Sequence, residues 1–327
     1  MESSTTNDSF PSNKENGPKK LDKEYYIYPH KKLGKGGFGQ INLGENILTK
    51  EKVAIKIEFL VTRSHLYSEF EIMKDLQGYD GIPKIYKYIK AKENNFLIME
   101  LLGKSLEKIF SYYQRKFSIK TVIQIAYQMI EKIEFIHSKG YIHRDIKPGN
   151  FLIGKGDNKN KIYIIDFGLS KRYLDKSLRI HIPYKEGKGL TGTARYASLF
   201  THFGIEQSRR DDIECIAFNL IYFAKGKLPW QGVHAKNKKE KHKKIMEKKV
   251  SMTPEELCEG LPDEIPTLIK YARKLEFDEE PDYHNIKLMF QNLLIKLGYQ
   301  KDPKFDWEND DNFDKENESE DSKNKDN

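Results

Sequence analysis

The chain has 327 residues, with 57 Lys and Arg against 49 Asp and Glu for a formal charge of +8, long enough for a core shared between two lobes. With 32% charged residues and no run of eighteen apolar ones, it excludes a bundle of membrane helices, and Met1-Glu2-Ser3-Ser4 opens neither a signal peptide nor a myristoylation site. Two cysteines, Cys215 and Cys258, exclude a disulfide framework and a cysteine metal cluster; they read as buried thiols in a reducing cytoplasmic or nuclear compartment.

Residues 1–22 are Ser, Thr, Asn, Lys and Pro with almost no apolar content and are expected to be disordered; Ser3, Thr6, Ser9 and Ser12 recur there every third position. Order is expected from about Tyr25. Gly34-Lys35-Gly36-Gly37-Phe38-Gly39 fits a phosphate-covering loop and equally a dinucleotide fingerprint. A dinucleotide fold would open a helix next, whereas Val53-Ala54-Ile55-Lys56 is a β-rich run that places Lys56 on a third strand. Glycines at 34, 36 and 39 let the backbone approach the phosphates of ATP without Cβ atoms, and Lys56 supplies a fixed positive charge. Short β-rich runs at 40–43, 52–58, 84–89 and 96–99 around one helix at 64–77 predict a small antiparallel sheet lobe. That helix offers Glu69 and Glu71 as partners for Lys56, and Glu100-Leu101-Leu102-Gly103 reads as a hinge.

Beyond the hinge the period turns helical. Val122, Ala126, Met129, Ile130, Ile133 and Ile136 line one face of a helix of about twenty residues ending near Gly140, which delivers His143-Arg144-Asp145-Ile146-Lys147-Pro148-Gly149-Asn150. With Asp166-Phe167-Gly168 this reads as a phosphoryl-transfer site: Asp145 accepts the proton of an incoming hydroxyl, Lys147 reaches the transferring phosphate, and Asn150 and Asp166 hold Mg²⁺. Further helices are predicted at 208–225, 235–248, 264–274 and 285–297, the last burying Ile286, Met289, Phe290, Leu293 and Leu297. Residues 234–249 hold eight Lys against two Glu, which suits a solvated helix face, a surface for acidic substrates or a nucleic-acid patch. From 306 to 327 there are ten acids against three Lys, about −7, leaving about +15 on the rest, so the two parts attract each other. In that acidic run Glu316, Ser319 and Ser322 repeat at three-residue intervals. The expected division is a disordered tail at 1–22, a catalytic body at 23–305 (small lobe 23–99, hinge 100–103, large lobe 104–305) and a disordered acidic tail at 306–327.

Four strings narrow the reading: His181-Ile182-Pro183-Tyr184, the run Leu190-Thr191-Gly192-Thr193-Ala194-Arg195-Tyr196-Ala197-Ser198, the run Gly204-Ile205-Glu206-Gln207-Ser208-Arg209-Arg210-Asp211-Asp212, and Leu228-Pro229-Trp230-Gln231-Gly232. Over about residues 25 to 307 the chain resembles the casein kinase I family of Ser/Thr protein kinases. It departs at Ser198-Leu199-Phe200, where members typically carry Ser-Ile-Asn, at Gly149, where an acid is usual, and at Lys35 and Gly37, where serines are usual. The resemblance implies an α+β, two-lobed protein-kinase fold with a small β-sheet lobe and a larger helical one. It implies that Lys56 pairs with Glu69, that Met99 guards the back of the adenine pocket and that Leu102 is the hinge contact. The implied nucleotide-binding set adds Leu33, Gly34, Gly36, Gly37, Phe38, Gly39, Ile41, Ala54 and Glu100. It further implies an anion site at Arg195, Gly232 and Lys241 that reads phosphate or acid three residues before the target. The expected partners are acidic or phosphate-primed proteins and the chain's own acidic tail; neither nucleic acid nor a membrane is expected, and the chain is expected to be a monomer. A non-catalytic scaffold would have lost Lys56, Asp145 or Asp166, and all three are present.

Overall fold

The computed structural model describes residues 17–36, 39–59, 64–300, 302, 304–308, 310 and 313. Gly37 and Phe38, the Ser3, Thr6, Ser9 and Ser12 ladder, and Glu316, Ser319 and Ser322 lie outside the described residues. The first lobe is one antiparallel sheet in the order β1-β2-β3-β4-β6-β5. Its strands are β1 (Lys19–Lys20), β2 (Tyr25–Gly36), β3 (Gly39–Asn46), β4 (Lys52–Phe59), β5 (Ile85–Lys90) and β6 (Asn94–Glu100), with helix α1 (His65–Asp75) inserted before β5. The two-residue period of β4 divides its labour. Val53, Ile55 and Ile57 join Tyr25, Ile27, Phe96 and Ile98 in a small core on one face, and Ala54 and Lys56 are left to face the second lobe.

The second lobe is helical: α2 (Leu106–Tyr112), α3 (Ile119–Ser138), α4 (Leu199–His202), α5 (Arg209–Lys225), α6 (Lys238–Ser251), α7 (Pro254–Leu257), α8 (Glu264–Lys274) and α9 (Tyr283–Lys296). Two small hairpin-like pairs complete it, β7 (Tyr141–Ile142) with β10 (Lys171–Arg172) and β8 (Phe151–Ile153) with β9 (Ile162–Ile164). All six apolar positions expected on the face of α3 are buried, against α5 and α9. Residues 209–223 of α5 are buried all round, which makes this helix the post on which the catalytic segments are mounted.

Several expectations need correction. The ordered chain begins before position 23: Lys19 and Lys20 pair with Ile27 and Tyr26, and Leu21 packs on the small core, so Lys56 lies on the fourth strand rather than the third. Position 305 is not the end of the body, because Phe305, Trp307 and Phe313 are all buried and join the main core. On α9, Leu294 takes the buried place expected of Leu297, which sits at the helix C-cap 42% exposed, while Met289 is only partly covered. Helix α2 escaped the sequence reading because seven residues are too few to display a period. Cys215 and Cys258 are free and buried, as expected.

Candidate active site

The site forms where the two lobes face each other across a cleft of about 820 Å³ lined by Leu33, Gly34, Ile41, Ala54, Met99, Glu100, Leu102, Lys56, Asn150 and Asp166, among others. Strand register explains the roof: Lys56 lies opposite Ile41 on β3 and Leu97 on β6, and Ala54 lies opposite Met99, so these side chains share one face. Gly39 is required by the neighbouring strand itself, since a Cβ there would stand 1.7 Å from the Ile57 carbonyl oxygen. Met99 and Leu102 are buried at the inner edge, and the hinge leaves β6 by the Glu100 N–H donating to the Lys84 carbonyl at 2.8 Å.

Helix α1 is aimed at Lys56 by a carboxylate at its N-terminus. Glu58, on β4, accepts from the backbone N–H groups of His65 at 2.8 Å and Leu66 at 3.0 Å and from Ser64 Oγ at 2.6 Å, satisfying groups that a helix start leaves open. One turn on, Glu69 places its carboxylate 2.8 and 2.6 Å from Lys56 Nζ, while Glu71 is exposed. Lys56 also donates to Asp166 Oδ1 at 2.8 Å. Burial works to lower the pKa of Lys56, but Glu69 and Asp166 outweigh it and hold the ammonium well above its ordinary value. For Asp166 burial works upward, and the charge and hydrogen bond of Lys56, with Lys147 beyond, hold the carboxyl below its usual range.

The catalytic loop is hung from Asp212 on α5. That carboxylate accepts from the backbone of His143 at 2.8 Å and of Arg144 at 2.9 Å, and pairs with His137 Nε2 at 3.0 Å. Arg144 is held at a φ of 69° and Asp166 at 67°, left-handed conformations that cost a residue with a Cβ on the order of 1–3 kcal/mol each. The His143 ring spans the gap between them, its Nε2 at 3.1 Å from the Ile165 carbonyl and its edge on Phe167. Asp145 then faces the cleft with three neighbours: Lys147 Nζ at 2.5 Å from Oδ2, Thr193 Oγ1 donating to Oδ1 at 2.7 Å, and Asn150 Nδ2 donating to its backbone oxygen at 2.9 Å. The Asn150 amide nitrogen is thereby committed, which leaves its oxygen as the atom suited to a cation. Ile165 N donates to the Asn150 carbonyl at 2.9 Å, tying the residue before Asp166 to the same loop. One amide oxygen and one carboxylate suit Mg²⁺, which takes few protein ligands beside phosphate oxygens. No group of three or more His, Cys, Asp or Glu able to hold a metal occurs among the described residues.

Two residues of this machinery had no role assigned from sequence, Asp212 and Thr193. Both stood inside the strings that carried the resemblance, but nothing local to them signals a partner dozens of positions away. Gly192, beside Thr193, has a φ of 91°, and a Cβ there would come within 2.3 Å of the Arg144 carbonyl oxygen, so the backbone at Gly192 lies directly against the catalytic loop. The departure at Leu199-Phe200 is absorbed by packing: the Arg210 guanidinium lies 3.7 Å from the centroid of the Phe200 ring and donates to the Leu275 carbonyl at 2.7 Å. Leu199 N donates to Glu214, which is paired with Arg273 at 2.8 Å.

The three residues of the expected anion site sit on separate elements. Arg195 is half-buried, its guanidinium about 6 Å above the rings of Tyr196 and Tyr222. Its carbonyl accepts from Trp230 Nε1 at 2.7 Å, two residues before Gly232, which is exposed with a φ of 75°. Lys241 is exposed on α6, and two steps of four along that helix Lys249 is buried, its Nζ donating to the carbonyls of Ala194 at 3.1 Å and Ala197 at 2.5 Å. Burial pushes the pKa of Lys249 down to about 7.

Helices long and apolar enough to cross a membrane are absent from the described residues. A family model described as protein kinase domain matches residues 28–294, from within β2 into the last turn of α9, and so takes in Lys56, Glu69, the hinge and the catalytic loop. The chain therefore belongs to the protein kinase family, with its two-lobed fold and its transfer of phosphate from ATP to protein.

Proposed function

We propose that the chain is a Ser/Thr kinase of casein kinase I type acting on acidic or phosphate-primed proteins. The observation that carries this reading is the segment around Arg195, where a half-buried guanidinium lies beside the rings of Tyr196 and Tyr222 while its backbone is fixed from below. The carbonyls of Ala194, Arg195 and Ala197 are all taken by donors from the large lobe, Lys249 and Trp230, with His202 Nε2 also 3.2 Å from the Ala194 oxygen. Beside the catalytic loop, Lys171 and Lys188 already share the Glu206 carboxylate, at 3.0 and 3.2 Å. A segment held in this way needs no phosphate of its own, so Arg195 and Lys241 are left for the substrate's.

In this reading Asp145 takes the proton of the Ser or Thr hydroxyl, whose oxygen bonds to the γ-phosphorus as the bond to the leaving diphosphate breaks. Lys147, against the same carboxylate, supports the Ser/Thr assignment and stabilises charge on the transferring group. Asn150 and Asp166 would hold Mg²⁺, whose contribution is to neutralise phosphate charge; Lys56, oriented by Glu69, would hold the α/β-phosphates. Phosphate is favoured over carboxylate at the anion site, because two unit charges about 4 Å apart near a surface attract by roughly 4 kcal/mol before screening and a phosphoserine carries about −1.5 to −2.

The test compares peptides with phosphoserine, Asp or Ala three residues before the target, using phosphatase-treated enzyme. Activity should survive the treatment, and Arg195→Ala with Lys241→Ala should raise KM for the primed peptide far more than for the Ala peptide. Equal losses on all three peptides would make both residues structural and overturn the anion-site reading.

A further inference from the structure

The cleft has an outer wall that the catalytic motifs do not account for. Past the hinge its lining runs through Lys104, Ser105 and Lys108 and the loop at 154–157 to Trp307 and Phe313, which belong to the acidic end of the chain. That end is fastened at successive points. The Asp306 carboxylate accepts from the Ser118 backbone N–H at 2.7 Å and its hydroxyl at 2.6 Å, at the N-cap of α3. Lys159 Nζ donates to the Glu308 carbonyl at 3.2 Å, and the Trp307 ring is stacked on Phe305 with centroids 4.5 Å apart. Tyr113 donates its hydroxyl to Asp310 Oδ2 at 2.8 Å, and Asp310 Oδ1 accepts from Phe313 N at 3.1 Å. Phe313 closes the run, 1% exposed, edge-on to Tyr112 at 5.3 Å, with Lys104 Nζ 5.2 Å from its centroid.

The residue under Phe313 is part of the nucleotide site's frame. Lys104 follows the hinge directly; its carbonyl accepts from Ile153 N at 3.1 Å, and Gly103 N donates to the Ile153 carbonyl at 2.9 Å. The next residue, Ser105, bridges to Leu152 of β8, and Leu152 and Ile153 line the cleft. Whatever presses on Lys104 and α2 from outside therefore bears on the pocket floor through a continuous backbone ladder.

We propose that residues 305–308, with Asp310 and Phe313, form a docked strap that completes the nucleotide site, with Phe313 as a positioning residue that holds the hinge exit against β8. Its release loosens nucleotide binding and leaves Asp145, Lys147 and the peptide-reading surface as they were. The inference rests on reading the cleft as the ATP site, and the experiment separates the two.

Calorimetric titration of the full-length protein with Mg²⁺ and a non-hydrolysable ATP analogue gives Kd for wild type, Phe313→Ala, Phe313→Leu and Asp310→Ala, and steady-state assays give KM for ATP and for peptide separately. Phe313→Ala should weaken nucleotide binding about tenfold, Asp310→Ala less, and Phe313→Leu should recover most of the loss, because the slot needs an apolar filler more than a ring. Peptide KM and kcat should stay within about twofold, a pattern that general destabilisation would not give. Nucleotide Kd within about twofold of wild type in both Phe313→Ala and Asp310→Ala would overturn the proposal, as would losses in Kd, kcat and peptide KM that move together with the melting temperature. Should Phe313→Ala fail to fold, Asp310→Ala, which removes the two part-buried hydrogen bonds from Tyr113 and Phe313 and leaves the aromatic packing in place, decides alone. No binding to wild type would overturn the ATP reading itself.

Discussion

Lys56→Met should cost stability as well as activity, because it strands a carboxylate. The side chains of Lys56 and Glu69 are only 6% and 3% exposed, so methionine would leave Glu69 ionised in a site that water hardly reaches. Removing one partner of a buried ion pair typically costs about 3–5 kcal/mol, through the charge left behind rather than the attraction lost. Asp166 also loses its lysine, but its side chain is 24% exposed and hydration offsets part of that loss. At about 2–4 °C per kcal/mol for a domain of this size, melting should fall by roughly 6–20 °C at neutral pH. The deficit must depend on pH. Burial already pushes the Glu69 carboxyl upward against the pull of Lys56, and without the lysine that pull is gone. A carboxyl whose folded pKa lies above its unfolded value of about 4.3 favours the folded state at low pH, and this help is lost as pH rises through the folded pKa. Melting followed by circular dichroism should therefore show a larger gap from wild type at about pH 7.5 than at about pH 5.5, and a second change, Glu69→Gln, should restore most of it. If Lys56→Met melts with the wild type at both pH values, or if Glu69→Gln brings no recovery, the pair is not the buried linkage described here.

Two further outcomes follow from the catalytic loop. Asp145→Asn should lower kcat by about 10² to 10⁴-fold while nucleotide Kd, measured by titration, stays near wild type, since the carboxylate faces the hydroxyl and not the nucleotide. Asp212→Asn offers one acceptor where the carboxylate serves His143 N, Arg144 N and the His137 ring, so it should lose about 1–3 kcal/mol of stability and reduce kcat as well, read by melting and single-turnover assays. A variant with unchanged melting and unchanged kcat would remove Asp212 as the anchor of the loop.

The parts of the site legible in the sequence were those whose chemistry is local. His143 to Asn150 span eight positions, and the glycine loop and Lys56 lie on adjacent strands, so residue type and spacing carry the geometry with them. Glu69 and Glu71 show the limit of that reading, because on the residues alone they are equivalent and only the resemblance chose between them. The structure separates them by the direction of α1, which Glu58 sets from β4. Asp212 and Thr193 were illegible as partners for a related reason: each acts across 48 or more positions, and no local pattern reports a contact that exists only after the core has formed.

The expected boundary at 305 was misplaced for a different cause. Net charge near −7 over twenty-two residues was weighed as one property, whereas folding weighs each group against the partner it meets. Within the run Asp306 takes the Ser118 hydroxyl and Asp310 the Tyr113 hydroxyl, and just before it Asp302 meets Lys120, so three acids are absorbed by specific donors on α3 and on the turn between α2 and α3. What remains to be compared is apolar burial against ordering entropy: Phe305, Trp307 and Phe313 are each at most 5% exposed, and fully burying such side chains is worth about 1.5–3 kcal/mol each, against about 1–2 kcal/mol for each backbone residue fixed. Three aromatics alone would not outweigh that cost. The balance turns on the charged groups being paired as well, and this is why removing one small acceptor, the Asp310 carboxylate, should loosen a segment whose most conspicuous contacts are aromatic.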